Sequence, residues 1–395
     1  MLIYLLIYIP FILCAYFDFV KTDPKKTNKI IWFWIIVFTL FRGLRWEIGT
    51  DWNGYYWIHE AANFNNVFSL SRGNNNVEWG YVFLNAASKW INTSYTFFLL
   101  VTNFYILFCY KFFCQKITVY PLITFIFFVM AIQQFPTRQP LSTATLFLSY
   151  VFLIEKKYRY FTLLVFAAVF IHRGSLIALS LYFIIWFYRK HQVYWWVYAG
   201  LYVISFFASL AFEGLSDSLL AIASISGGGA EELLGNYMNM TESNSVGVSR
   251  TGSIFSIIVT TIIFSVVLYV YYARIDYIKS KFKGANLFFA MFAIFYIVHN
   301  LLRNNAVTGV SELAGRVVSS FNTTALFLPV VLIYFVDKVK IQRGMMYLFF
   351  VIYTSYMFYR AIPGNRWSHM LIPYKTIFEK ESDPYEGFDK EYEFY

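Results

Sequence analysis

At "VFIHRGSLIAL", residues 169–179, His172 and Arg173 interrupt an otherwise apolar run. A histidine there can carry a proton near neutral pH, and an arginine's planar fork binds phosphate or carboxylate oxygens in pairs. Carboxylates stand in two aromatic settings. Asp51 lies in "FRGLRWEIGTDWNGYY", with Arg42, Arg45 and Glu47 just before it, and Glu78 lies in "NNNVEWGYVFLN". Either acid has the chemistry of a general base. The neighbouring amides with Trp52, Tyr55, Trp79 and Tyr81 are the residue types that pair with sugar hydroxyls and stack on sugar rings. Arg138 sits between Pro136 and Pro140 in "QQFPTRQPLSTATLFLSY", with small residues following. Four residues separate His299 from Arg303, and Gly315-Arg316 opens a further apolar run. Plainer roles stand beside each of these. Arg42, Arg45, Glu47 and Asp51 would also make an interfacial cap, single arginines snorkel to lipid phosphates, and a histidine in an apolar run can satisfy buried carbonyls.

The elements that must position these groups are membrane spans. The chain has 395 residues, 59% hydrophobic and 23% aromatic, with 14% charged, where a soluble protein carries about 25%. Apolar runs recur at close to the roughly 20 residues that cross a bilayer. They fall near 2–19, 29–46, 93–113, 118–135, 140–155, 160–172, 174–188, 193–212, 253–273, 285–302, 317–336 and 344–361. This reads as an all-α, polytopic integral membrane protein with about twelve transmembrane helices. The short pair at 160–188 would form either a hairpin or one kinked helix. The first run has no basic residue before Lys21 and reads as a retained span. The transmembrane domain extends over 1–361, with long outer loops at 47–92 and 213–252, and 362–395 is a polar, acidic tail.

Charge divides the connections. About fourteen of the eighteen lysines fall in alternate connections, which the positive-inside rule places in the cytoplasm. About ten of the fourteen arginines fall on the other side. Lysine follows the topology and arginine departs from it, which points to an anionic ligand at the outer leaflet. The net charge of +10 is thereby a topology signal and not a nucleic-acid footprint. Three cysteines without metal-type spacing imply neither a disulfide framework nor a metal site, and no phosphate-loop, dinucleotide or Gly-x-Ser-x-Gly signature implies a cofactor or a soluble-enzyme chemistry.

In order, these residues resemble the EpsG-like branch of the Wzy polysaccharide (O-antigen) polymerases. The resemblance rests on Gly-Thr-Asp-Trp and Tyr at 49–55, Glu-x-Gly-Tyr at 78–81, Arg-Gln-x-Leu at 138–141, Ile-His-x-x-Ser at 171–175, Gly-Arg at 315–316 and Leu-Ile-Pro-Tyr-Lys at 371–375. It covers nearly the whole chain. One departure is Val-Val-Ser-Ser-Phe after Arg316, where an Arg-x-x-x-Tyr pattern would be expected. The resemblance implies a GT-C-like glycosyltransferase arrangement in the bacterial inner membrane with its active site facing the periplasm. Its partners would be undecaprenyl-pyrophosphate-linked oligosaccharide, membrane lipids and a chain-length regulator protein. No cofactor is implied. In that reaction Asp51 is the first candidate base, followed by Glu78 and His172. Arg138 and Arg316 lead as pyrophosphate ligands, with Arg173, Arg303, Arg42 and Arg45 behind them. The competing readings are a flippase or exporter of the lipid-linked oligosaccharide, and a membrane glycosyltransferase or acyltransferase that modifies the glycan.

Overall fold

The computed structural model describes residues 1–20, 23–49, 51–72, 77–131, 138–191, 193–211, 250–303, 318–338, 342–362 and 371–379. Regular structure among them is helical, and an antiparallel bridge joins Arg45 to Thr376. An apolar chain in a membrane must satisfy each backbone polar group internally, and a helix does so within its own segment.

Two compact units divide the chain. The first, Met1–Leu176 with Leu332–Tyr395, contains α1 (Leu2–Leu13), α2 (Tyr16–Phe19), α3 (Pro24–Gly43), α4 (Trp52–Ala61), α5 (Val67–Arg72), α6 (Trp79–Ile91), α7 (Tyr95–Ile117), α8 (Pro121–Ala131), α9 (Arg138–Ile154) and α10 (Tyr158–Ile171). Its core is a layer in which α7 packs against both α3 and α9, and α9 packs along α10. The second unit, Ile177–Val331, holds α11 (Leu181–Lys190), α12 (Trp195–Ala211), α13 (Arg250–Ala273), α14 (Ile275–Lys281) and α15 (Ala285–Arg303), with α12 laid along α15. The division falls within α16 (Thr324–Lys338), and α17 (Arg343–Ala361) returns to the first unit.

Three stretches among the described residues are long and apolar enough to cross a bilayer: Leu2–Phe19, Tyr95–Ile117 and Ser319–Asp337. A fourth counts if the pair Ile257–Ala273 and Ile275–Lys281, bent by 99°, is one span. The expected count of about twelve is met only to that extent, because several apolar runs form shorter helices. α10 stops at Ile171, where His172 adopts extended backbone, and Arg173–Ser180 continues as a 3-10 turn. Residues 160–188 are therefore two short helical segments broken at His172 and not one continuous helix. The expected outer loop 47–92 is itself largely helical, as α4, α5 and α6.

One cap ties distant parts of the first unit. Pro121 supplies the first turn of α8 and has no N–H to satisfy. The next two amides, of Leu122 and Ile123, both donate to Asp18 Oδ2 of α2, each at 2.9 Å. Asp18→Ala strands these donors in the core and should lower unfolding free energy by about 2 kcal/mol. Asp18→Asn, which keeps an acceptor, should recover part of that loss in the thermal unfolding of purified protein.

Candidate active site

The site begins with a glycine. A Cβ on Gly80 would lie 2.5 Å from the carbonyl oxygen of Phe170 and 2.7 Å from its carbonyl carbon. Only a hydrogen fits, so the first turn of α6 rests directly on the last turn of α10. Glu78, the residue before α6, then reaches past the end of α10. There the backbone of His172 is extended, with φ −154 and ψ 116, and this turns two groups toward the acid. The Arg173 amide donates to Glu78 Oε1 at 3.0 Å, and His172 Nδ1 lies 3.4 Å from the same oxygen.

A third element closes the cluster. Arg138 opens α9, an awkward place for a cation because the helix dipole is positive there. Its Nη1 lies 3.1 Å from Glu78 Oε2, so the acid offsets both the charge and the dipole. One turn along α9, Ser142 donates to Ala168 O at 2.9 Å and contacts the Ser175 hydroxyl. The first turn of α9 is thus joined to Glu78 by a charge and to the end of α10 by a hydroxyl.

Glu78 is buried, and burial alone pushes its carboxyl up. The contact from His172, the positive charge of Arg138 and the Arg173 amide outweigh that effect, holding the carboxyl below the usual glutamate range. The carboxylate is therefore ionised, with Arg138, His172 and the Arg173 amide around it. His172 Nδ1 faces this carboxylate at ion-pair distance. The His172 side chain keeps 17% exposure, and Arg173 beside it is exposed.

A second basic cluster lies in the same unit. Arg42 and Arg45 are 2% and 1% exposed. Arg42 Nη2 donates to Val129 O at 3.2 Å, and its guanidinium lies over the Phe38 ring. Arg45 stands beyond the end of α3, not on one helical face with Arg42 as the spacing suggests, and its Nη1 donates to Arg42 O at 3.0 Å. Both cations thus serve carbonyls at helix C-termini, a favourable end for positive charge. The segment 371–377 straps this corner. Trp46 N donates to Lys375 O at 3.1 Å, Ile377 N to Leu44 O at 2.9 Å, and Tyr374 stacks on Phe41 with centroids 4.7 Å apart. The expected C-terminal tail therefore packs into the unit at this point. Residues 380–395 lie outside the described residues.

Of the other candidates, Asp51 is exposed at the start of α4 and makes no side-chain cap, while Thr50 lies outside the described residues. Trp52 and Tyr81 are buried and pack among Trp46, Tyr55, Tyr56 and Tyr95, so neither presents a face to a sugar. Trp79 is exposed and tilts on Phe170, and Tyr55 is half-buried. Arg303 ends α15, but its side chain lies outside the described residues, as does Arg316 entirely.

The EpsG family model matches residues 28–376 of the 395. The chain belongs to the EpsG family. Neither the curated proteins nor the solved structures contain a match to it. Membership carries a polymerase-like role in polysaccharide biosynthesis, of a glycosyltransferase-like kind in a general sense, and the apolar helices make this EpsG-family chain a membrane protein. The matched region takes in the whole Glu78 cluster and ends at Thr376, the residue bridged to Arg45.

Pattern reading gave no role to several residues of the EpsG-family chain that the structure brings into use. Ser142 and Ser175 are ordinary small residues until α9 meets α10. His59, in the aromatic stretch "WNGYYWIHEA", is fully buried on partners from two other segments. The glycine contact leads to one test: Gly80→Ala should cost about 1–3 kcal/mol through forced backbone displacement, read by thermal unfolding. The acid leads to another. With its carboxyl lowered in the fold, Glu78 contributes stability that is complete above the unfolded value of about 4.3 and is lost as pH falls toward the folded value. The decline of the unfolding midpoint from about pH 6 to pH 3 should accordingly be shallower in Glu78→Gln.

Proposed function

We propose that this protein joins undecaprenyl-pyrophosphate-linked oligosaccharide repeat units into O-antigen or a related surface polysaccharide. In this reading it crosses the bacterial inner membrane about twelve times in a GT-C-like arrangement, with its site at the periplasmic face. The observation that carries the reading is the Glu78–Arg138–His172 cluster with Arg173 exposed beside it. It combines an oriented base and two cations at the end of apolar helices, which suits a substrate with an apolar tail, a pyrophosphate and sugar hydroxyls.

The acceptor hydroxyl of one repeat unit gives its proton to His172 Nε2 as its oxygen attacks the anomeric carbon of the growing chain. The bond from that carbon to the pyrophosphate oxygen breaks, and the pyrophosphate leaves with the electron pair. Arg173 and Arg138 offset the negative charge that builds on it, an effect worth a few kcal/mol for each positioned donor. Glu78 does not take the proton in this scheme. Arg138 and the Arg173 amide already face its oxygens, and its contact with Nδ1 leaves the other ring nitrogen for the acceptor. Asp51, the first candidate from sequence, yields the role of base to His172 because it stands exposed at the start of α4 and makes no side-chain cap there. Arg316 and Arg303 remain candidate pyrophosphate ligands, and Trp79 and Tyr55 the aromatic faces best placed for sugar.

Loss of a general base lowers such a rate by about 10²–10⁴-fold. His172→Gln should therefore leave the protein in the membrane while the cell displays single repeat units in place of long chains on a glycan gel. Normal chain lengths in that strain would reject the assignment. A deletion strain showing no surface glycan at all would instead indicate a flippase, and full-length chains lacking one substituent would indicate a modifying transferase.

A further inference from the structure

His59 of α4 is fully buried, and both its ring nitrogens face oxygen acceptors. Nδ1 lies 3.1 Å from Asn85 Oδ1 of α6, and Nε2 lies 3.2 Å from the backbone carbonyl of Thr93, just before α7. The carbonyl can only accept. The orientation of the Asn85 amide is set on its other side, where Nδ2 donates to Tyr81 O at 2.9 Å. A neutral imidazole carries one N–H and one lone pair. It would make one of these bonds and set a lone pair against an oxygen at the other. The imidazolium form makes both.

The surroundings balance that proton. Burial opposes the cation, and so does Lys89 of α6, whose Nζ donates to Glu60 O at 2.6 Å. The two acceptors and Glu60 of α4 favour it. From α7 the rings of Tyr95 and Phe98 lie 5.2 and 5.7 Å from the imidazole, adding aromatic contact and no charge. Burial has the largest effect, so His59 titrates on the acid side of its ordinary value.

What the ring joins gives this titration a consequence. Asn85 and Tyr81 lie on α6, the helix that starts beside Glu78 and is seated by Gly80 on the end of α10. We infer that His59 is a proton-operated positioning residue: its imidazolium bolts α6, and with it Glu78, to α4 and to the entry of α7, and its neutral form releases one of the two bonds. The catalytic part of this inference rests on the reading of Glu78 and His172 as the active site, whereas the clamp itself rests on the His59 geometry alone. As pH rises through the titration, α6 loosens and His172 loses the firm seat of its acid.

Hydrogen exchange of the full-length protein in lipid nanodiscs tests this, with protection factors for 79–91 followed from about pH 5 to pH 8. Wild type should lose protection in one step of roughly fivefold, the value of one hydrogen bond. Asn85→Asp, which faces the ring with a carboxylate, should move the midpoint up by about one to three pH units. His59→Gln should abolish the step. A flat wild-type profile, or a step that survives in His59→Gln, overturns the inference. Elongation of a lipid-linked oligosaccharide by the same nanodiscs separates it from the active-site reading. A step without any elongation keeps the clamp and sinks that reading, and elongation without a step does the reverse.

Discussion

A buried carboxylate must be paired, and the first unit is arranged around the one that precedes α6. Glu78 takes its partners from three places: the cation that opens α9, the imidazole that ends α10 and the amide that follows it. Removing such a charge would leave its partners uncompensated, at about 3–5 kcal/mol for a buried pair. The same pairing accounts for several otherwise unfavourable local choices. Arg138 tolerates the positive end of a helix dipole because the acid is there. Extended backbone at His172 is tolerated because it delivers both the ring and the next amide to the acid. The seat of Gly80 on Phe170 then has a purpose, since any side chain would hold α6 away from this cluster.

The two basic clusters of this unit differ in kind. Arg138 is partly exposed and faces an acid, while Arg173 is exposed. Arg42 and Arg45 are enclosed and spend donors on the C-terminal carbonyls of α8 and α3. The strap at 371–377 completes that enclosure: Tyr374 covers Phe41, and Tyr4 of α1 donates to Leu371 O at 2.6 Å. Arginine therefore serves two structural purposes in this unit: a guanidinium with carbonyls within reach becomes a cap, whereas one beside a buried acid compensates its charge.

Aromatic density has a comparable double use. Trp46, Trp52, Tyr56 and Tyr95 form a continuous packed group under α4, where their value is buried area and edge-to-face contact. Trp79 stays at the surface next to the Glu78 cluster. The burial of Trp52 and Tyr81 was not visible in the motif, because both follow an acid and a polar stretch in the same way that exposed sugar-binding aromatics do.

The residues that the structure gathers at Glu78 were legible as candidates in the linear chain, because they stand out by type against an apolar background. The short family motifs at Glu78, Arg138 and His172 each mark a charge where charge is expensive, and that cost can be read without knowing the partner. Helical class and several spans follow in the same way from the length of the apolar runs. Three matters depended on the tertiary structure. That Glu78 is the common partner of Arg138 and His172 depends on a contact between α6 and α10 that a single hydrogen on Gly80 permits. That 371–377 belongs with Arg45 depends on pairing across more than three hundred residues. That His59 faces two acceptors depends on where Asn85 and Thr93 arrive. Local sequence sets the energetic demand of each group, since desolvation and charge are properties of the residue. It cannot choose which distant group meets that demand, because the choice is made by the packing of helices whose apolar faces are nearly alike.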